Sequence, residues 1–311
     1  MACATHPEGK TMNDHAATVD GPRVRILGIA QDGGLPHAAC SCPRCGAARK
    51  DPALASPVAS VGIIAPSARK AYLIDATPDI IVQLQALADV RKLDNARVDR
   101  TPVDGIFLTH AHMGHYLGLA HLGFEAINTR ELPVWASASM ASFLRNNAPW
   151  SQLLKLKNLV VSEIADGTLT DLADGIRVRA VKVPHRAEFT DTMAYVISGA
   201  RKTLLYVPDI SPWHKLGRPM ADLFSGVDVA LVDGTFYSGD ELPGRDTKEI
   251  GHPLILDTMD LLQGRVDSGS LKVYFVHLNH SNPALDREGP QRKNMISRGF
   301  DVGWPGMEFE L

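Results

Sequence analysis

The sequence predicts an α/β architecture in which two mixed β-sheets lie face to face between outer layers of helices. Three observations predict it. Short β-branched or apolar runs recur along the chain, and many end on a polar residue of catalytic type. Segments with helical spacing are interspersed among these runs. The same pattern then recurs in the second half. Two sheets sandwiched between helices accommodate this rhythm better than a single parallel sheet does.

The elements follow in order. Residues 24–28 read as a first strand, ended by a Gly-Gly turn at 33–34. Residues 60–65 and 70–75 form a hairpin around Pro66 and Ser67. Residues 78–93 have helical spacing, with Ile80, Ile81, Leu84, Leu87 and Val90 as the apolar positions. A strand at 105–109 leads into a histidine cluster, and helical spacing resumes near His115. A short strand is expected at 134–136, a helix at 140–146, and meandering strands between 159 and 183. Residues 203–207 and 227–232 are strongly strand-like, 254–262 helical, 271–276 a buried strand and 291–298 a last helix, before a short closing strand.

The chain has 311 residues, 45% hydrophobic and 22% charged, which suits one large globular domain over 23–311. Residues 1–22 are polar and rich in small residues, and are expected to be a disordered tail. Met12 is an alternative start to Met1. A net charge of -3 argues against nucleic acid as a partner, and no apolar run approaches membrane-spanning length. No secretion signal is evident, so a cytoplasmic protein is expected.

The sharpest signal is Thr109-His110-Ala111-His112-Met113-Gly114-His115, directly after an apolar strand. Histidines at i and i+2 project the same way from extended backbone, and a helical turn brings the third back toward them. Three convergent imidazoles suit zinc or iron. A second cluster, Cys40-Ser41-Cys42-Pro43-Arg44-Cys45, holds three of the four cysteines. Thiolates this close call for a soft cation, and zinc needs one further ligand to complete a tetrahedron. His280 is the candidate, with His37 as a competitor. Such a closed site is structural. Cys3 is incidental.

The histidine cluster resembles the His-x-His-x-Asp-His motif of the metallo-β-lactamase superfamily, which implies a four-layer αββα sandwich. By this resemblance His110, His112 and His185 hold one metal, Asp209 bridges, and His115 and His277 serve a second, with Asp75 supporting the histidine loop. Gly114 stands where the family has aspartate, which removes an oxygen ligand from the second site. The active-site metal is expected to be zinc, with iron or manganese as alternatives, as one or two ions. The cysteine trio paired with His280 resembles the branch containing the carbon–phosphorus lyase cyclic phosphodiesterase.

Further segments resemble the pyrroloquinoline-quinone (PQQ) biosynthesis protein B family. They include residues 31–36, 75–80, 233–236, 244–246, 251–252 and 282–283. In that family the histidine motif is largely degraded, whereas here it is nearly intact. Asp233-Gly234-Thr235-Phe236 followed by His252 is similar to the ribonuclease Z pattern, which implies Asp233 and His252 as a proton-donor pair. Asp209, Asp233 and His252 are therefore the candidate catalytic residues. The ribonuclease's RNA-binding arm is not evident, so nucleic acid remains an unexpected partner; the family also suggests a homodimer.

These features favour a hydrolase that turns a metal-activated water on a small phosphodiester or other ester. An iron-dependent oxidative enzyme related to PQQ biosynthesis protein B is one alternative. A non-catalytic small-molecule binding protein is the other. His121 reads as a packing or surface residue, Arg186 and Glu188 as a solvated loop with substrate contact as the alternative, and Trp150, Trp213 and Trp304 as either pocket-lining or packing residues.

Overall fold

The computed structural model describes residues 21–90, 101–241 and 251–311. Most of the expected tail, the end of the 78–93 helix and the 244–246 segment lie outside these residues. The first sheet contains β1 (Arg23–Gly28), β2 (Ser60–Ala65), β3 (Lys70–Ile74), β4 (Gly105–Phe107), β5 (Leu132–Ser137) and β6 (Leu159–Ile164). The second contains β7 (Leu169–Asp171), β8 (Arg177–Val183), β9 (Thr192–Ser198), β10 (Thr203–Val207), β11 (Val229–Asp233), β12 (Lys272–Val276) and β13 (Asp301–Val302). The last strand, β14 (Glu308–Glu310), returns to the first sheet and pairs with β1, so the two sheets run β14-β1-β2-β3-β4-β5-β6 and β13-β12-β11-β10-β9-β8-β7. Both are mixed, with β3 to β6 parallel in one and β10 to β13 parallel in the other.

Side chains alternate across these strands, and the alternation builds the layers. Val61 and Ile63 of β2, and Tyr72 and Ile74 of β3, join the core that the second sheet also fills. Their neighbours Ile64, Ala71 and Leu73 point the other way. There they meet α2 (Ile80–Gln85), α4 (Ala138–Asn146) and α5 (Trp150–Lys155) through Ile80, Leu84, Met140, Leu144 and Leu153. On the second sheet α7 (Ile255–Asp267) contributes Ile255, Met259 and Leu262. The remaining helices are α1 (Pro43–Lys50), α3 (Met113–Tyr116), α6 (Met220–Leu223) and α8 (Pro290–Ser297).

Several elements differ from the sequence expectation. Helix α2 spans only six residues, and Ile81 is 60% exposed. Its buried face is instead Ile80, Gln83, Leu84 and Leu87, with the Gln83 amide donating to the Val58 carbonyl at 2.8 Å. The helical stretch expected from His115 is a single turn, α3, continued by a 3₁₀ segment over Leu117–Leu122. Helices α1, α5 and α6 and strand β9 were not anticipated. β9 is central and buried along almost its whole length, so it lacks the apolar–polar alternation that marks a strand in sequence.

Candidate metal centre

The catalytic-type residues sit where strands end. Asp75 follows β3, Thr109 and His110 lie just past β4, His185 follows β8, Asp209 follows β10, Asp233 closes β11 and His277 follows β12. Asp75 and His277 adopt φ of 68° and 60°. Such left-handed backbone at non-glycine residues is uncommon and recurs at functional sites. Here it turns each chain as it leaves its strand.

His110, His112, His185 and Asp209 converge with ligand-type atoms within 4.8 Å of one another. His110 Nε2 lies 2.8 Å from His112 Nδ1 and 3.3 Å from Asp209 Oδ2. His185 Nε2 lies 3.3 Å from His112 Nδ1 and 3.1 Å from Asp209 Oδ1. A tetrahedral ion with bonds of about 2.0–2.1 Å sets ligand–ligand edges near ~3.3 Å, which these separations approach. For His110 and His112 the far side of the ring fixes which nitrogen faces inward. His112 Nε2 meets the Glu188 carboxylate at 3.1 Å, leaving Nδ1 for the centre. His110 Nδ1 meets Thr109 Oγ1 at 3.0 Å, leaving Nε2. Thr109 Oγ1 in turn donates to Asp75, at 2.9 Å from Oδ2. The relay therefore runs from His110 Nδ1–H through the threonine hydroxyl to a buried carboxylate.

A matching relay serves the other sheet. His277 Nδ1 lies 3.0 Å from Thr235 Oγ1, which donates to Asp233 Oδ1 at 2.7 Å. Asp233 Oδ2 accepts from His252 Nδ1 at 2.8 Å and from the Ile210 N–H at 3.1 Å. His115 Nδ1 is held by Asp75 Oδ2 at 2.7 Å. Such outer partners orient metal-binding imidazoles and select their tautomers. The inward atoms His115 Nε2, His277 Nε2 and Asp209 Oδ1 are buried without a hydrogen-bond partner. Orphaned imidazole nitrogens facing a carboxylate are costly in a plain core and suit a cation.

The electrostatics agree. Burial pushes the Asp209 carboxyl up, but the charges of His252, His277 and His185 outweigh it and hold the acid well below its ordinary range. Burial pushes His252 down, yet Asp233 and Asp209 win and raise it well above 6.5. His115 behaves the same way, with Asp75 foremost among the carboxylates that lift it to about 9. His110 and His277 are lowered, chiefly by burial.

The cysteine cluster forms a second donor set. Cys40, Cys42 and Cys45 Sγ lie 3.7, 3.8 and 3.6 Å from His280 Nδ1. Zinc bonds of about 2.3 Å to sulfur and 2.0–2.1 Å to nitrogen give a tetrahedral sulfur–nitrogen edge of about 3.6 Å. Three nearly equal edges at that length fit a closed four-ligand site. The Cys42 thiol is lowered to about 6, first by the Cys45 N–H and then by His280. Cys45 is pushed up to about 11 by burial. His37 is not part of this set; its ring packs on His280 with centroids 4.7 Å apart, and its N–H donates to Cys45 Sγ.

Glu188 does more than the sequence suggested, since it orients His112 and also pairs with Arg186 at 3.6 Å. His121 joins neither donor cluster among the described residues. Trp150 packs on Tyr116, Trp213 donates to Thr258 at 2.8 Å, and Trp304 is 41% exposed. Sequence reasoning missed Asp32, whose Oδ1 lies 3.5 Å from His115 Nε2. It comes from the loop after β1, and the only sequence hint was the glycine at 114.

The fold and these donor sets define a metallo-β-lactamase-type protein: residues 70–278 match the beta-lactamase superfamily domain, and the chain belongs to that family. Within it the chain is similar to coenzyme PQQ synthesis protein B. The Cupriavidus necator protein is 27% identical and the Rhodopseudomonas palustris protein 29%, each match covering 93% of this chain and 99% of the relative. Zinc-bound PqqB from Methylobacterium extorquens superimposes with a TM-score of 0.75 at 23% identity, over 93% of this chain and 100% of that one. A diphosphatase of the PhnP family gives 0.63 at 19% identity, over 93% and 97%. The family and the donor sets mark an enzyme that uses a divalent metal. Among the described residues no helix is long and apolar enough to cross a membrane.

Proposed function

We propose that the protein is a metal-dependent hydrolase acting on a small phosphodiester or related ester. The observation that carries this reading is the juxtaposition of two things. One is the donor set of His110, His112, His185 and Asp209. The other is a histidine, His252, lying 3.2 Å from Asp209 and anchored by Asp233. A divalent ion in such a set acidifies a bound water to near neutral pKa and polarises the substrate oxygen it touches.

The chain's own residues supply the remaining steps. Asp209 stays ionised and helps hold the ion. Asp233 accepts from His252 Nδ1–H, which leaves Nε2 to carry the transferable proton. With its pKa raised, His252 keeps that proton at neutral pH and delivers it from Nε2 to the departing oxygen. Glu188, itself exposed, fixes the His112 ring. Diphosphatase chemistry on the same fold supports phosphorus esters as a class, by analogy alone. The clustering of free cysteines around one histidine fits a reducing compartment, so we place the enzyme in the cytoplasm.

Similarity to coenzyme PQQ synthesis protein B over 93% of the chain supports one other reading, a part in coenzyme PQQ synthesis, and because a His-rich donor set also accepts iron we carry that reading as an iron-dependent oxidation. The two separate in one experiment. Protein loaded with zinc, manganese or iron(II) is assayed in parallel for hydrolysis of bis(p-nitrophenyl) phosphate and for oxygen consumption. Hydrolysis with zinc or manganese supports the proposal. Oxygen uptake confined to the iron form, without hydrolysis by any form, replaces it with the oxidative reading.

A further inference from the structure

The motif glycine, Gly114, removes the carboxylate that the superfamily places before its third histidine. The structure shows what stands in that space. A Cβ built on Gly114 would lie 2.8 Å from the Asp32 Cα and still closer to its carboxylate oxygen Oδ1. Gly114 sits in α3 and is not among the positive-φ glycines, so its backbone does not call for glycine. The requirement is spatial: any side chain at 114 collides with Asp32.

Asp32 reaches in beside two orphaned rings. Its Oδ1, His115 Nε2 and His277 Nε2 are ligand-type atoms within 4.8 Å of one another, and all three are buried with no hydrogen-bond partner. The opposite nitrogens of both rings are engaged, His115 Nδ1 by Asp75 and His277 Nδ1 by Thr235, so neither ring can relieve its inner nitrogen by flipping without losing a bond. Asp209 Oδ2 lies 3.9 Å from each inner nitrogen. The loop carrying Asp32 is tied to the strand end carrying His277: the Gln31 N–H donates to the Leu278 carbonyl at 2.9 Å, and the Leu278 N–H to the Ile29 carbonyl at 2.7 Å.

We infer that Asp32 supplies the missing oxygen ligand from a different segment of the chain, and completes a second divalent-cation site with His115, His277 and bridging Asp209. Gly114 is the vacated space that admits it. The carboxylate has moved from the helix to the loop after β1, and the donor count of the site is preserved. This rests on the metalloenzyme reading above but not on its substrate.

The test reads metal and needs no substrate. Wild type, Asp32→Ala, Gly114→Ala and the exchange variant Asp32→Gly/Gly114→Asp are stripped with chelator and titrated with zinc or cobalt(II). Stoichiometry is read by elemental mass spectrometry and by the cobalt d–d spectrum. Wild type is expected to bind two ions beyond the cysteine site. Asp32→Ala, and Gly114→Ala by displacing Asp32, should weaken one of them by at least about tenfold, the least that even loss of an outer partner of a ligand costs. The exchange variant should recover it, and serves if Asp32→Ala fails to fold. Wild type binding one ion beyond the cysteine site, or equal affinity for both ions in Asp32→Ala, overturns the assignment. So does an exchange variant that folds and does not recover the ion. Any of these outcomes accompanied by full diester turnover leaves the hydrolase reading standing. Intact two-ion binding with no turnover of any ester rejects the hydrolase reading and keeps Asp32.

Discussion

Thr109→Val tests whether the relay behind His110 sets metal affinity. The substitution keeps side-chain shape and removes one hydroxyl. That hydroxyl accepts from His110 Nδ1 at 3.0 Å and donates to Asp75 at 2.9 Å, in a site where Thr109, His110 and Asp75 are all buried. Without it, Asp75 keeps the Thr109 N–H at 2.8 Å and His115 Nδ1 at 2.7 Å, so the loop should hold its fold. His110 loses the partner that selects its tautomer. Hydrogen bonds to charged groups are each worth roughly 1.5–3 kcal/mol. Losing one such interaction from the bound state corresponds to about tenfold to a hundredfold in affinity, the range seen when outer partners of metal ligands are removed. Competition between the protein and a chromophoric chelator measures it, with circular dichroism confirming the fold. Thr109→Ser, which restores the hydroxyl, should return most of the loss. Unchanged affinity in a folded Thr109→Val protein would refute the relay.

Three further outcomes are expected. Cys42→Ser should lose one tightly held zinc. If that zinc is bound at about a thousandfold over its Kd, linkage gives about 4 kcal/mol, or a Tm lower by roughly 7 °C in a calorimetric scan. The same variant should weaken the ion at Asp32, because the loop holding Asp32 and Cys40 is tied to the one holding His277 and His280; a calorimetric metal titration checks this. For pH, a histidine raised above 6.5 loses its proton only as pH climbs through the raised value, so turnover should fall on the alkaline side. Asp233→Asn removes the largest charge lifting His252, and the alkaline limb of the kcat profile should move to lower pH; an unmoved limb would rule out His252 as the proton donor.

Much of the centre was legible because its residues advertise themselves at strand ends. His110, His112 and His115 are close in sequence, so local spacing was enough to group them, whereas His185, Asp209 and His277 were placed by resemblance to the superfamily and His280 by the fourth ligand the cysteines call for. Asp32 was not legible: an aspartate in a glycine-rich loop reads as a turn residue, and its partnership with Gly114 exists only through tertiary contact. The same limit explains the fold. Hairpin β2–β3 is marked by its exposed polar turn at 67–70 although its strands are buried, whereas β9 is enclosed on both faces and leaves no periodic mark. Ile81 misled because helical spacing does not say which of two adjacent apolar residues faces inward.

The most direct test of the central claim is to measure metal content and phosphodiester turnover together, in wild type and in the His110→Ala/His112→Ala double variant. Wild type should carry divalent metal beyond the cysteine-site equivalent and hydrolyse a diester. The variant should keep the fold, the cysteine-site zinc and the ion at Asp32, and lose the ion held by His110, His112 and His185 together with the turnover. A variant that retains full metal content and full activity would contradict that claim.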